Sequence, residues 1–315
     1  MPAETIIKTN SLTKRFDSKL SGILAVDNLD IEVRRGEVFG FLGPNASGKT
    51  TTIGMLLGLI APTSGTIELF GEDTAHNLPR LLKRTSAVLE SSAFYPHLSG
   101  YDNLIIFAGT IGGIEKCRID EVLETVGLRK RASSKVRTYS LGMRQRLSVA
   151  TALLNDPELI IMDEPANGLD PSGIIEFREL TKSLGEQGKT VFISSHLLHE
   201  IEQTCDHVAI INKGRVLAQG SVNELLHRGK MLQISVPDPD TASDLLMNLD
   251  WVKTIEIDDS HIFVEIPSEK AAEVNRLLVT GGIAVSEIKM SENSLEDFFL
   301  DAIDEITRKP EEDNA

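Results

Sequence analysis

Positions 43–50, Gly-Pro-Asn-Ala-Ser-Gly-Lys-Thr, are the first in the chain whose residue types and spacing could perform chemistry. They fit the pattern G-x-x-x-x-G-K-[ST] and lie between a buried-strand pattern at 37–42 and a helical pattern at 51–60. In that context, backbone N–H groups of a loop and of a helix N-terminus surround phosphate oxygens. Lys49 would supply positive charge to the β- and γ-phosphates, and the Thr50 hydroxyl would reach a Mg²⁺ ion that bridges them. These flanks favour phosphate binding over a chance match at a glycine turn.

A second stretch supplies the carboxylates that such a loop needs. The apolar run at 159–162 is followed directly by Asp163 and Glu164. Ligands of open α/β sheets bind at the carboxyl ends of strands, which is where these two side chains would lie. Asp163 would then hold Mg²⁺ through its water shell beside Thr50, and Glu164 would polarise the water that attacks the γ-phosphate. The structural alternative is an Asp-Glu-Pro turn that only ends a strand.

The elements that must position these residues alternate between strand and helix patterns. Strand patterns at 159–162 and 190–193 are separated by a helical one at 172–184, and residues 99–154 are mainly helical. Such alternation predicts an α/β domain, a mixed sheet with a parallel core, together with a helical subdomain at about 92–150.

A change of pattern near residue 228 predicts a second domain. The order there is β-α-β-β-α-β-α, a small α+β unit close to ferredoxin-like order. The predicted domains are therefore 4–226 and 230–306, followed by a charged, flexible tail at 307–315.

Composition limits the classes of function. The chain has 315 residues and a formal net charge of −15, so nucleic acid is not expected as a partner. Its two cysteines stand far apart, which suits a reducing compartment. No apolar run approaches the ~20 residues of a spanning helix, and the N-terminus has no signal-peptide pattern. We therefore expect a cytoplasmic protein, for which any membrane role requires a partner.

Three further motifs make the sequence resemble one family. Residues 139–146, Tyr-Ser-Leu-Gly-Met-Arg-Gln-Arg, are similar to the L-S-G-G-Q signature of ATP-binding cassette (ABC) transporters and its Q-R extension. Residues 167–171 resemble the D-loop of that family, with Asp170, and residues 194–196 resemble its switch region, with His196. Over roughly residues 4–225 the chain looks like the nucleotide-binding subunit of an ABC transporter, of the bacitracin-exporter and multidrug branch. The resemblance implies the P-loop NTPase fold of ABC type.

The resemblance implies an ATPase that uses ATP and Mg²⁺ and works as a homodimer or heterodimer. The implied nucleotide-binding residues are Phe16, Gly43, Pro44, Asn45, Ala46, Ser47, Gly48, Lys49, Thr50 and Thr51, and the signature residues acting on the other subunit's ATP are Ser140, Leu141, Gly142 and Met143. Ser140 and Gly142 open a helix, so their donors would form a second phosphate cradle. His196 would contact the γ-phosphate, beside the catalytic Glu164 and Lys49. Phe16 would stack on adenine, although a core position is the alternative.

The sequence also departs from the family pattern. The Q-loop position, usually glutamine, is Glu90, whose carboxylate could still join Thr50 and Asp163 around Mg²⁺. Ala46 replaces a frequent glycine of the phosphate loop, and Leu141 and Met143 differ from the usual signature residues.

The implied function is that of an ATPase subunit that powers a separate integral membrane permease and lies at the inner face of the cell membrane. The branch implies export of a drug, a peptide or a lipid-like substrate. Two aromatic residues in the loop at 93–98 would contact the permease, or would pack on the helical subdomain. The alternative function is that of a soluble ABC ATPase acting on ribosomes or DNA, which one phosphate loop and the absence of long heptads disfavour. The C-terminal domain would regulate, support a dimer or stabilise the chain.

Overall fold

A computed structural model gives the fold of the chain and describes most of it. The described residues are 4–16, 22–89, 93–227, 231–247, 249–252, 254–258, 261–267 and 270–290, with Leu295 and Phe299. The chain forms two compact units, Met1–Ser221 and Val222–Ala315. The domain boundary predicted from the sequence, between 226 and 230, lies a few residues after this division between Ser221 and Val222.

The first unit contains eleven strands and seven α-helices among its described residues. In chain order they are β1 (Thr5–Phe16), β2 (Ile23–Leu29), β3 (Glu32–Arg34), β4 (Val38–Leu42), α1 (Lys49–Leu56), β5 (Ser64–Leu69), β6 (Glu72–Asp73), α2 (Thr74–Leu81), β7 (Thr85–Leu89), α3 (Gly100–Ile111), α4 (Lys116–Thr125), α5 (Leu141–Leu153), β8 (Leu159–Asp163), α6 (Pro171–Glu186), β9 (Thr190–Ser195), α7 (Leu198–Thr204), β10 (His207–Asn212) and β11 (Arg215–Ser221).

The strands of this unit form two sheets. The larger sheet has the order β11-β10-β4-β9-β8-β7, in which only the β10–β11 pair is antiparallel. The smaller sheet has the order β2-β1-β5-β6, with β3 also paired to β1, and its pairs are antiparallel. The predicted mixed sheet with a parallel core is confirmed.

Strands buried on both faces form the centre of the larger sheet. Every residue of β4, β8 and β9 is buried, as expected of parallel strands covered by helices on both sides. The ring of Phe192 in β9 lies 5.6 Å from that of Phe39 and 5.3 Å from that of Phe41, both in β4. This aromatic cluster fixes β4 against β9, the two strands that lead into the phosphate loop and the switch region.

A glycine in β4 lets α7 approach the sheet. A Cβ atom on Gly40 would lie 2.4 Å from the Ile201 side chain and 3.2 Å from Cys205 Sγ. Only a residue without a side chain therefore fits beneath this helix. Because α7 begins two residues after His196, its packing on β4 positions the switch region.

Helices α3, α4 and α5 form the predicted helical subdomain. A capping box begins α3, in which Ser99 Oγ accepts a hydrogen bond from Asp102 N at 3.0 Å. The buried Tyr139 hydroxyl donates a hydrogen bond to Arg131 O at 2.8 Å and so ties the segment before α5 to the connection after α4. This connection positions the start of α5, where the signature residues lie.

The second unit begins with α8 (Val222–His227) and contains a four-stranded sheet. Its further elements are β12 (Met231–Ser235), α9 (Pro239–Met247), β13 (Ile255–Asp258), β14 (His261–Glu265), α10 (Ala271–Thr280) and β15 (Glu287–Met290). The sheet has the order β13-β14-β12-β15 with antiparallel pairs. Apart from Leu295 and Phe299, the predicted last helix and tail lie outside the described residues.

No helix within the described ranges combines the length and the apolar character needed to cross a membrane.

Candidate functional site

The phosphate loop, the two carboxylates and the switch region lie at one edge of the sheet, at the ends of three neighbouring strands. The phosphate loop follows β4, the carboxylates end or follow β8, and the switch region ends β9, which lies between the other two strands. Leu42 pairs with Ser195, and Asp163 pairs with Ser194. The strand order therefore brings together residues that are distant in the chain, by more than a hundred positions in the case of Leu42 and Ser195.

The backbone of the phosphate loop requires its two glycines. Gly48 has φ +110°, and a Cβ atom there would lie 2.5 Å from the carbonyl oxygen of Ala25. A Cβ atom on Gly43 would lie 2.4 Å from the carbonyl oxygen of Ile211. Ala46, where the family often has glycine, also has a left-handed backbone, with φ +64°. Within the loop the buried Ser47 hydroxyl has no hydrogen-bond partner among the described residues.

Lys49, the first residue of α1, curls back over this loop. Its Nζ donates a hydrogen bond to Gly43 O at 2.7 Å and one to Pro44 O at 3.2 Å. The same ammonium lies 3.1 Å from Glu164 Oε1, and only 6% of the lysine side chain is exposed. A buried cation beside the backbone of such a loop can bind the terminal phosphates of a nucleotide.

Thr50 and Asp163 are in direct contact. Thr50 Oγ1 donates a hydrogen bond to Asp163 Oδ2 at 2.9 Å, and Ser194 Oγ donates one to Asp163 Oδ1 at 2.5 Å. Mg²⁺ prefers oxygen ligands and usually takes only one or two protein groups in addition to phosphate oxygens and water. A hydroxyl and a buried carboxylate in contact at the mouth of a phosphate loop fit this ion.

Glu164 contacts both predicted catalytic partners. Its Oε1 faces Lys49, and its Oε2 lies 2.8 Å from His196 Nδ1. Its backbone has φ +47°, and its N–H donates to Ser194 Oγ at 2.9 Å. The residue is thus held in a sparsely populated conformation by hydrogen bonding, which is common at functional sites. A carboxylate oriented by an imidazole can accept a proton from water.

Ser194 is the residue of this cluster to which the sequence analysis assigns no role. Its hydroxyl donates to Asp163 and accepts from the Glu164 backbone, so it joins both carboxylate residues. The Ser-Ser-His sequence before α7 is the only local indication of this position.

One open cleft of about 510 Å³ contains most of the predicted nucleotide-binding residues. The predicted residues that line it are Phe16, Asn45, Ala46, Gly48, Lys49, Thr50, Thr51 and Glu164, joined by Ile23, Leu24, Ala25 and Lys213. Phe16 is 41% exposed, so its ring is available at the cleft and is not a core residue. Lys14 Nζ lies 5.0 Å from the centre of that ring. The cleft is lined by apolar side chains of β1 and β2 and by polar groups of the phosphate loop.

The signature residues and Asp170 begin two helices outside this cleft. Ser140 caps α5 by accepting a hydrogen bond from Met143 N at 3.2 Å, and Asp170 caps α6 in the same way from Gly173 N at 3.1 Å. A Cβ atom on Gly142 would make only ordinary contact with Leu169, at 3.8 Å, and Ser140, Leu141 and Asp170 are exposed. Both helix starts are therefore open to a second molecule.

Glu90, predicted at the Q-loop position, lies outside the described residues. The preceding residue, Leu89, ends β7 and is 38% exposed.

Comparison with known proteins agrees with this geometry. Residues 26–167 match the family described as "ABC transporter". The chain is 47% identical to a bacitracin transport ATP-binding protein of Bacillus licheniformis over 95% of this chain and 97% of the relative. It is 38% identical to the bacitracin transport ATP-binding protein of Enterococcus faecalis over 95% and 96% of the two chains.

Solved structures share the fold. An ATP-binding subunit of an ABC transporter aligns at a TM-score of 0.61 and 28% identity, covering 71% of this chain and 92% of its own. A dimeric ATP-binding cassette in a post-hydrolysis state with ADP and Pi aligns at a TM-score of 0.61 and 25% identity, covering 69% and 99%. The chain therefore belongs to the ABC transporter family, as an ATP-binding protein with ATPase activity.

Proposed function

We propose that this chain is the ATP-hydrolysing subunit of an exporter whose substrate is a peptide antibiotic or a similar amphiphilic compound. One observation carries the proposal. Lys49, Glu164 and His196 form a continuous chain of contacts at the carboxyl ends of three adjacent strands, beside the pair of Thr50 and Asp163. The bacitracin transport proteins that the chain resembles support the substrate class.

The residues have distinct parts in the proposed reaction. The loop N–H groups and Lys49 bind the β- and γ-phosphates of ATP, and Phe16 stacks on the base. Thr50 and Asp163 would hold Mg²⁺, which neutralises the phosphate charge when it is bound. Glu164 accepts a proton from the attacking water, while His196 keeps its carboxylate oriented and contacts the γ-phosphate.

A second copy of this chain, or a related subunit, completes the site in this proposal. Ser140 and Gly142 open α5, where backbone N–H groups and the helix dipole favour a phosphate. Neither residue lines the cleft of its own subunit among the described lining residues, and Leu141 beside them is exposed. ATP bound by one phosphate loop would thus join two subunits, and hydrolysis would release them.

The helical subdomain supports contact with a membrane subunit. Exposed apolar side chains lie at the end of β7, in the loop before α3 and on α3, and they are Leu89, Tyr95, Leu98, Ile105, Ile106 and Ile111. Phe94 packs against Phe107 of α3, with ring centres 5.9 Å apart, whereas Tyr95 is 55% exposed. One aromatic residue of the loop thus packs internally and the other is available to a permease. The chain would then lie at the inner face of the membrane, bound through that permease.

The test combines hydrolysis with resistance. The purified chain should release phosphate from ATP in a Mg²⁺-dependent reaction that the Lys49→Ala and Glu164→Gln variants lack. Co-expressed with a bacitracin-exporter permease, the chain should raise the bacitracin resistance of a sensitive bacterium, and the same variants should not.

The two parts of the proposal fail separately. A wild-type chain that hydrolyses no more ATP than Glu164→Gln would contradict the catalytic assignment. Normal hydrolysis without any change in resistance or in peptide export would contradict the substrate class alone.

A further inference from the structure

The turn between β10 and β11 has an unusual residue at its first central position. Asn212 pairs with Arg215, and the two residues between them, Lys213 and Gly214, have φ +47° and +81°. Two positive φ values characterise a type I′ hairpin turn, for which Asn-Gly, Asp-Gly and Gly-Gly are the favoured sequences. A lysine is a poor choice for this conformation, because its Cβ atom crowds the backbone there. A non-glycine residue kept in a sparsely populated conformation suggests a functional role.

This turn is joined to the phosphate loop by backbone hydrogen bonds. Gly214 N donates to Ser47 O at 2.9 Å, and Asp27 N donates to Gly214 O at 2.9 Å. Arg215 Nε also lies 2.6 Å from Asp27 Oδ2, a carboxylate that is largely buried. The turn is therefore held between β2 and the phosphate loop, and the backbone of Lys213 has a fixed position relative to both.

Lys213 lines the same cleft as the phosphate loop. It is exposed, and its ammonium makes no hydrogen bond or ion pair with any residue in the described ranges. Lys49, in contrast, contacts two loop carbonyl oxygens and Glu164. In a chain with a net charge of −15, an unpaired cation on the wall of an anion-binding cleft can contribute to ligand binding.

The position of the turn indicates which part of the nucleotide Lys213 reaches. A Cβ atom on Gly48 would lie 3.6 Å from the α carbon of Gly214 and 2.5 Å from Ala25 O, so the turn adjoins the loop on its β2 side. Phe16 and the start of β2 supply the apolar lining of the cleft, against which the base would lie. The turn is hydrogen-bonded to both β2 and the phosphate loop, whereas Lys49 faces Glu164.

We propose that Lys213 binds the α- and β-phosphates of the nucleotide, as a second cationic contact in addition to Lys49. This inference rests on the proposed binding of ATP to the cleft. A lysine ammonium is a compact charge on a flexible stem, which suits contact with phosphate oxygens. Because ATP and ADP both carry the α- and β-phosphates, Lys213 would strengthen the binding of both nucleotides equally and would not select between them.

The test compares nucleotide affinities of four variants by isothermal titration with ATP and with ADP. Lys213→Asn removes the charge but suits the left-handed turn, since asparagine tolerates this conformation better than lysine. Its Kd should rise about two- to fivefold for both nucleotides, as for the loss of one exposed charge contact. Lys213→Glu should weaken binding further, and Lys213→Arg should retain wild-type affinity.

The control variant is Lys130→Asn. Lys130 is an exposed residue of the helical subdomain that does not line the cleft, and its substitution changes the net charge equally. Thermal unfolding of Lys213→Asn should occur at or above the wild-type temperature, so a loss of affinity cannot be attributed to a disrupted turn.

Each remaining outcome contradicts the inference in a different way. An unchanged Kd in Lys213→Asn and Lys213→Glu would overturn it, as would an equal loss in Lys130→Asn. A loss for ATP but not for ADP would move the contact to the γ-phosphate and overturn the assignment. A wild-type chain that binds neither nucleotide would overturn the proposed function itself, whereas wild-type binding with unaffected Lys213 variants would overturn only this inference.

Discussion

Replacement of Glu164 by glutamine is the most informative perturbation of the site. Glutamine keeps the shape of the side chain and one acceptor oxygen, but it removes the negative charge that faces Lys49 and His196. It cannot accept a proton from water. The loss of a general base typically lowers a rate about 10²- to 10⁴-fold, equivalent to about 2.7–5.5 kcal/mol in the activation barrier. Phosphate release by Glu164→Gln should fall within this range.

The same change should not weaken ATP binding. In the described structure the Lys49 ammonium is 3.1 Å from Glu164 Oε1, so part of its charge is neutralised before any phosphate arrives. Removing one partner of a buried ion pair leaves the other charge uncompensated, so the Lys49 ammonium of the variant would gain more from binding a phosphate. Glu164→Gln should therefore bind ATP as tightly as the wild type or more tightly.

Single-turnover phosphate release and equilibrium titration with ATP measure the two effects separately. Glu179→Gln is the matched control, because it makes the same chemical change at an exposed position of α6. Hydrolysis by Glu164→Gln within about threefold of the wild type would refute its role as the base. A large loss of ATP affinity would refute the competition between Glu164 and the phosphates for Lys49.

Three further predictions concern the second subunit, the metal site and stability. Ser140→Arg should prevent ATP-induced dimers in size-exclusion chromatography with light scattering, while Ser140→Thr should permit them; dimers of the arginine variant would contradict completion of the site in trans. Ser194→Ala removes a hydrogen bond to Asp163, so the Mg²⁺ concentration for half-maximal hydrolysis should rise severalfold, and an unchanged Mg²⁺ dependence would exclude this role. Hydrogen bonding to Arg84 lowers the pKa of Glu158 from 4.5 to about 2. This carboxylate therefore stabilises the fold above pH 4.5, and its contribution is lost as the pH falls to about 2. The free energy of unfolding of Glu158→Gln, measured by chemical denaturation, should therefore fall less than that of the wild type as the pH is lowered. Identical pH profiles of the two proteins would contradict this prediction.

Much of the site could be predicted because its motifs are local. The spacing in residues 43–50 predicts a phosphate-binding loop. The apolar runs before Gly43 and Asp163 each predict a strand that leads into polar residues. The order of the motifs was enough to indicate the family. The proximity of Thr50 to Asp163 could also be expected, since the loop and helix that carry Thr50 follow β4 and Asp163 ends β8, and the two strands end at the same edge of one sheet.

Other features depended on which strands are neighbours, and no local pattern contains that information. Ser194 reaches Asp163 because β9 lies beside β8, although the residues are 31 positions apart. Lys213 lines the cleft because β10 pairs with β4, so that the turn after β10 adjoins the phosphate loop. That Phe16 is exposed at the cleft and is not a core residue likewise becomes visible only in the folded chain.

The sequence by itself determined the phosphate loop at 43–50, because its glycines and its lysine act through backbone geometry that is set within a few residues. Only the tertiary structure decided how its charge is used. Lys49 is held between loop carbonyl oxygens and Glu164, and a second cation, Lys213, lines the same cleft. The physical reason is that charge acts through space, and the strand order of the sheet sets the distances between these groups.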